Sequence, residues 1–406
     1  MSKTSFTITL ILLAVAATAG AFWFFSLYGG APVIEELEPT DNFLPFGESP
    51  DAGAPSKDGT VRPPSGEPSD SGKKKIRVLS RTPVSGFTII NNASTTLVRY
   101  VERATGHIYE IAANESAGKR ITNTTIPRVG EAIFASGGDT VLLRYLNDNG
   151  TTIETYSAKI PQGGIEGSEG GELKGVFLPR GIGTISVSPD GKKIFYIEKF
   201  SNGSVGFVSG TQNENKTQIF NSYMTEWLPS WPEEKTIVLT TKPSRGIMGW
   251  SYGLTVATKK LGDLMASPGL ASFMSPDGKF ILFGSSADNA LSLGIYNIKE
   301  KTTLFFDNRT LPEKCVWANG SAKIYCAVPR SLPDEPLPDS WYQGAISFSD
   351  RIWLIDPERG LGTIITDLER DTLGMVDAVR LSVSKNSEYL IFINKSDGSL
   401  WSIELP

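Results

Sequence analysis

Two cysteines, one histidine and a scatter of arginines and large aromatics are the residues of this chain best suited to chemistry. Cys315 and Cys326 are the only cysteines in 406 residues, and they flank a turn around Asn319-Gly320. A four-residue loop there sets them nearly opposite each other on adjacent strands. Either they form a disulfide, which an oxidising compartment permits, or they are two separate buried thiols. The strand register decides between these. His107 is the single histidine, and it follows a Thr-Gly turn at the start of an apolar strand. A zinc site needs several Cys, His or carboxylate ligands close together, and no stretch has that spacing. No GxSxG elbow accompanies His107, and no glycine-rich phosphate loop is present. The expectation is therefore no metal, no cofactor and no catalytic triad. A pair of carboxylates of the glycosidase kind would be assembled only by the fold, because its spacing is spatial and not sequential.

Seven other residues are of the types that binding hot spots favour, either a large contact area or a rigid fork of donors. Arg128 lies in IPRVG and Arg180 in LPRGIG. Arg245, Trp250 and Tyr252 lie in KPSRGIMGWSYG at 242–253. Trp341 and Tyr342 lie in PRSLPDEPLPDSWYQGAISFSD at 329–350, far longer than an ordinary hairpin connection. Each has a plainer reading. Trp341 and Tyr342 would pack their own loop onto the body, and Arg128 and Arg180 would pair with neighbouring acids. Trp227 and Trp231, beside Pro229 and Pro232, read as core.

The elements that must position these residues repeat. ISVSPDGKKIFYIEK at 185–199 and SFMSPDGKFILFGSS at 272–286 share one plan: an apolar strand, a Ser-Pro-Asp-Gly turn and a second apolar strand. Proline fixes φ at the first central turn position, Asp bonds its own backbone, and Gly permits positive φ. LSVSKNSEYLIFINK at 381–395 is a weaker copy, and further units begin at Phe87, Ile133, Tyr223 and Cys315. That makes seven units, most followed by a third strand and a polar turn, spaced as one four-stranded propeller blade requires. The last unit lacks an outermost strand, and IRVLS at 76–80 is placed to supply it, closing the ring and removing an open edge.

The SPDGK-type turn between apolar strands resembles the TolB-like and WD40-like propeller repeats. The resemblance extends as a pattern over residues 76–406, closely in two units; the Gly-His and Trp-Asp dipeptides of WD40 repeats are mostly absent. It implies an all-β, seven-bladed propeller, with six or eight blades as alternatives. It also implies a face carrying the loops between second and third strands and between blades, where the arginines and aromatics above would sit. A general binding role follows from it, but no ligand, since propellers host unrelated functions.

Residues 6–28 form a charge-free apolar and aromatic run, preceded by Lys3 and followed by Glu35, Glu36, Glu38 and Asp41. The length suits a bilayer-spanning helix with a short cytoplasmic stretch, residues 1–5, before it. A signal peptide cleaved near Ala17-Thr18-Ala19 is the rival reading. Residues 29–75 are rich in proline, glycine, serine and acids, too poor in apolar surface to fold, and read as a tether of roughly 35–40 Å. Of 39 basic and 44 acidic residues, 6 and 9 fall in residues 1–75, leaving 33 and 35 for the rest. That balance excludes a phosphate-backbone footprint, so nucleic acid is not an expected partner. The expectation is a membrane-tethered, extracytoplasmic module that binds or assembles cell-envelope proteins. The alternative is an extracytoplasmic hydrolase or lyase acting on glycan or peptide. Nine Asn-x-Ser/Thr triplets, Asn394 among them, read chiefly as turn chemistry.

Overall fold

The computed structural model describes residues 76–406 except 92–94, 148, 162–169 and 288–289. The anchor helix and tether expected within residues 1–75 lie outside the described residues. Among those described, no helix is long and apolar enough to cross a membrane.

Seven four-stranded antiparallel sheets make up the domain, so the blade count is seven and not six or eight. Their first strands are Val84–Asn91, Val129–Ala135, Ile182–Val187, Trp227–Glu233, Ala271–Met274, Cys315–Ala318 and Ala378–Val383, in blades 1 to 7. First strands of blades 1 and 2, 3 and 4, 6 and 7, and 7 and 1 pack on one another, as the innermost strands around the axis. Fourth strands face solvent, as Lys174–Phe177 does along its whole length. The second strands explain the unbroken apolar runs in the sequence. Ile194, Phe195, Tyr196 and Ile197 are all buried, because such a strand meets a neighbouring blade on each of its two faces.

The core is accordingly divided among the seams between blades. Blades 1 and 2 share Val101, Ile108, Val129 and Leu143, and blades 7 and 1 share Ile391, Leu400, Val98 and Ile111. Every other seam has a cluster of the same kind. Trp227 and Trp231 fill the seam between blades 3 and 4, as their proline-flanked context suggests. A lone blade would expose both faces, so the ring holds only as a whole.

Ring closure uses the first described strand. Ile76–Ser80 pairs antiparallel with Leu400–Glu404, Ile76 opposite Ile403 and Val78 opposite Trp401, and so completes blade 7.

The Ser-Pro-Asp-Gly turns share one bonding scheme. Ser188 Oγ donates to Asp190 Oδ1 (2.6 Å) and accepts from the Lys193 N–H (2.9 Å), and Gly191 has φ 71°. Ser275 repeats this with Asp277 (2.7 Å) and Phe280 (3.0 Å), and Ser384 accepts from the Tyr389 N–H (3.0 Å). These turns join first to second strands. Because strands alternate in direction, they share one face with the third-to-fourth connections, hereafter the turn face. Second-to-third and blade-to-blade connections share the other, the loop face. Ile76 opens its strand at the turn face, since it pairs with the far end of a third strand.

Candidate protein-interaction face

The long connection of blade 6 folds down onto the loop face. It leaves the second strand Lys323–Pro329, forms a short helix over Asp339–Tyr342, and returns to the third strand Asp350–Ile355. Leu337, Trp341 and Phe348 bury themselves against Leu291 of blade 5 and Leu311 of the connector between blades 5 and 6. Asp339 reaches blade 4, accepting from Ser244 Oγ (2.7 Å) and the Arg245 N–H (2.7 Å). Lys395 of blade 7 donates to the Ile346 carbonyl (3.2 Å) and lies 4.8 Å over the Trp341 ring. One segment thus braces four consecutive blades.

A buried ion cluster fixes its base. Lys314 Nζ donates to Asp350 Oδ2 (2.8 Å), to Asp377 Oδ1 and to the Ala378 carbonyl (3.0 Å). All three charged side chains are fully shielded from solvent. Asp377 also accepts from Trp341 Nε1 (2.8 Å) and the Phe348 N–H (3.0 Å), which ties the loop to the cluster. Two carboxylates face one ammonium in a dry site. Burial, with Asp377 alongside, pushes the Asp350 carboxyl up to about 6 despite Lys314, and its Oδ1 has no hydrogen-bond partner. The cluster is shut off from solvent, and through Asp377 it anchors the long loop. Sequence reasoning missed it: Asp350 and Asp377 stand 36 and 63 positions from Lys314, and only the placement of Lys314 and Asp377 just ahead of apolar first strands hinted at burial.

The sequence-expected residues divide. Trp341 is 5% exposed and packs its loop onto the ring; Tyr342, beside it at 5.3 Å between ring centres, is 40% exposed and donates to Glu313. The structure corrects the position of two aromatics. Trp250 and Tyr252 belong to the third strand Met248–Thr255, not to the loop. Tyr252 packs edge-on to Trp227 (5.9 Å) in the seam with blade 3. Trp250, two residues nearer the loop face, points to the same side of the sheet and stays exposed. Arg128 and Arg180 sit exposed in the connectors entering blades 2 and 3, and Arg180 has a loose pair with Glu154 at 3.6 Å. Arg245 meets the long loop through its backbone. These residues do not form one cluster: Arg245, Trp341 and Tyr342 gather at the brace, while Arg128 and Arg180 stand apart from it along the ring.

Cys315 and Cys326 face each other across adjacent strands and are bridged, with Cα atoms 4.0 Å apart. His107 bonds Thr125 Oγ1 (3.0 Å), and burial lowers its pKa. Asn394 is buried and caps the Asp377 N–H (3.1 Å), so its glycosylation triplet is closed in the folded chain.

At the loop-face end of the first strands the charges pair with one another, although Arg144 Nε is left without a hydrogen-bond partner. Glu131 accepts from Arg144 (2.7 Å) and from Arg380 (3.4 Å), and Arg380 also donates to the Ser85 carbonyl (2.9 Å). Among the described residues, no group of three or more His, Cys, Asp or Glu side chains is arranged to hold a metal ion.

Large exposed apolar side chains mark the loop face instead. Leu146 and Ile153 flank the second-to-third connection of blade 2, and Phe200 that of blade 3. Tyr223 and Met224 lie in the connector from blade 3 to 4, Ile247 and Met248 on blade 4, and Leu373 and Met375 in the connector from blade 6 to 7. Tyr223 and Leu373 are 95% and 93% exposed. Most remaining exposed apolar side chains lie on or beside fourth strands, such as Phe177 and Phe305.

No family model matches this sequence, and no curated protein does. Solved structures with the same architecture do. The propeller domain of the trilobed protease from Pyrococcus furiosus is 12% identical with a TM-score of 0.51, over 81% of this chain and 97% of that one. An oligogalacturonate lyase from Vibrio parahaemolyticus is 9% identical with a TM-score of 0.48, over 82% and 99%. TolB from Acinetobacter baumannii is 12% identical with a TM-score of 0.42, over 78% of each chain. The Pyrococcus domain is described as having an open velcro topology, whereas this ring is closed by Ile76–Ser80. At such identities the likeness concerns the fold alone, and the fold it concerns is the β-propeller.

Proposed function

We propose that this chain is a protein-docking module of the cell envelope, tethered by an N-terminal helix outside the cytoplasm, whose partner seats on the loop face. The supporting observation is the concentration of exposed apolar side chains there, on a face stiffened by the blade 6 loop. An apolar patch kept in water marks a surface that another molecule covers, and a rigid scaffold lowers the ordering cost of covering it. The opposite face carries the polar Ser-Pro-Asp-Gly turns and receives the chain at Ile76.

Chemical crosslinking in membranes that carry the full chain tests this. Tyr223→Ser with Leu373→Ser should remove the captured partner, and Asp190→Asn with Lys192→Ser, on the turn face, should leave it. Capture indifferent to the first pair and lost with the second would place docking on the wrong face and refute the proposal. In the same cells, deletion of residues 6–28 should release the chain from the membrane fraction.

A further inference from the structure

Resting on the reading of the loop face as a docking surface, we infer that the partner presents an acidic segment bearing large apolar side chains, and that this segment seats on the sector of blades 3 and 4. The apolar exposure is densest here: Phe200, Tyr223, Met224, Ile247, Met248 and Trp250 come from two adjacent blades and the connector between them. Local hydrogen bonds hold the two halves of the sector, and Glu226 joins them by pairing with Lys199 of blade 3 and Lys242 of blade 4. Ser204 Oγ of blade 3 donates to the Met224 carbonyl (2.6 Å), and the Ile247 N–H to the Ser244 carbonyl (3.1 Å). Ser244 is itself held by Asp339 of the long loop, so the patch is fixed before anything binds.

The charges within the patch have one sign in excess. Glu226 is paired at once with Lys199 of blade 3 and Lys242 of blade 4, and these two lysines hold its carboxyl below the usual range. Glu226 therefore stays ionised between two cations, one negative charge against two positive, leaving a net positive charge among the apolar side chains. Arg180, on the neighbouring connector, is 83% exposed and only loosely paired with Glu154. Cations rimming an apolar surface select a partner with carboxylates beside its apolar anchors, and repel a basic one. An anionic bilayer has the same charge complementarity, and comparison of anionic with neutral nanodiscs separates it from an acidic protein segment.

The test is selection of a displayed library of random 12-residue peptides on the full chain in neutral nanodiscs. Enriched peptides should combine Trp, Phe, Leu or Ile with an excess of Asp and Glu. Their affinity should fall at least tenfold in Lys199→Gln/Lys242→Gln, and at least tenfold in Tyr223→Ser/Ile247→Ser. Enriched peptides that are neutral or basic yet lost in Tyr223→Ser/Ile247→Ser would overturn the acidic partner while sparing the docking face. Absence of any enrichment that these variants abolish would overturn both. Protection of Tyr223 from surface labelling in anionic but not neutral nanodiscs would assign the sector to lipid and overturn the inference as well.

Discussion

Burying Lys314 between Asp350 and Asp377 leaves a surplus negative charge in a site that water does not enter. Such clusters are costly to form, and removing one partner strands the others. The raised Asp350 pKa has a definite sign. Its folded value of about 6 exceeds the ordinary 3.8, so the folded protein binds this proton more tightly than the unfolded chain does. Its contribution to stability is full below about pH 4 and is lost as pH rises to about 6, by about 3 kcal/mol from two pKa units. The groups facing it are Lys314 and Asp377, with Lys395 beyond Trp341. Asp190, Glu226, Asp277, Asp367 and Asp371 are shifted down and act in the opposite sense, losing stability as pH falls. Urea unfolding of the parent and Asp350→Asn at pH 4, 5, 6 and 7 separates the two effects. The parent should lose about 2 kcal/mol relative to the variant between pH 4 and 6.5; a constant difference would show that Asp350 titrates normally.

Among the elements, the paired first and second strands of blade 6 carry a covalent tie. Cys315 and Cys326 lie in the seam between blades 5 and 6, beside Trp317 and Ile324. A bridge closing so short a loop stabilises by about 3 kcal/mol in the chain-entropy account. Reductant should therefore lower the melting temperature of the parent and leave Cys315→Ala/Cys326→Ala unchanged, as calorimetry would record; an equal response in both would mean that the bridge adds nothing. The sequence places the two cysteines on adjacent strands but leaves bridge and thiols equally open, because one residue of slip turns a side chain to the other face of a sheet. The same period of two explains the correction at Trp250 and Tyr252. Met248, Trp250 and Tyr252 alternate with smaller residues as a strand requires, yet the Pro-Ser-Arg-Gly start of the segment made all of it read as loop.

For the whole molecule, closure rests on five residues. Leu79 is buried in the seam of blades 7 and 1, Ile76 packs half-buried against the seam of blades 6 and 7, and Val78 is half-buried. At ordinary burial values these three are worth roughly 4 kcal/mol together. Deleting residues 76–80 should cost about that much in denaturant unfolding, and should produce dimers or larger species by size exclusion, because Leu400–Glu404 becomes an open edge. A monomer of unchanged stability would mean that closure is incidental.

Periodic and local features were legible in the chain. Seven strand-turn-strand units, the Ser-Pro-Asp-Gly chemistry and the missing strand of the last unit all follow from alternation, turn residues and spacing, which act over a few residues and repeat. The seven seams follow as well, since apolar second strands with no polar alternation must be covered on both sides. Tertiary structure alone decided that Lys314, Asp350 and Asp377 meet, that Asp339 of blade 6 braces Ser244 of blade 4, and that Phe200, Tyr223 and Ile247 share one sector with Lys199 and Lys242. Each of those contacts joins single side chains from segments distant in the chain. None recurs with the repeat, and a pattern that occurs once carries no period by which it can be recognised.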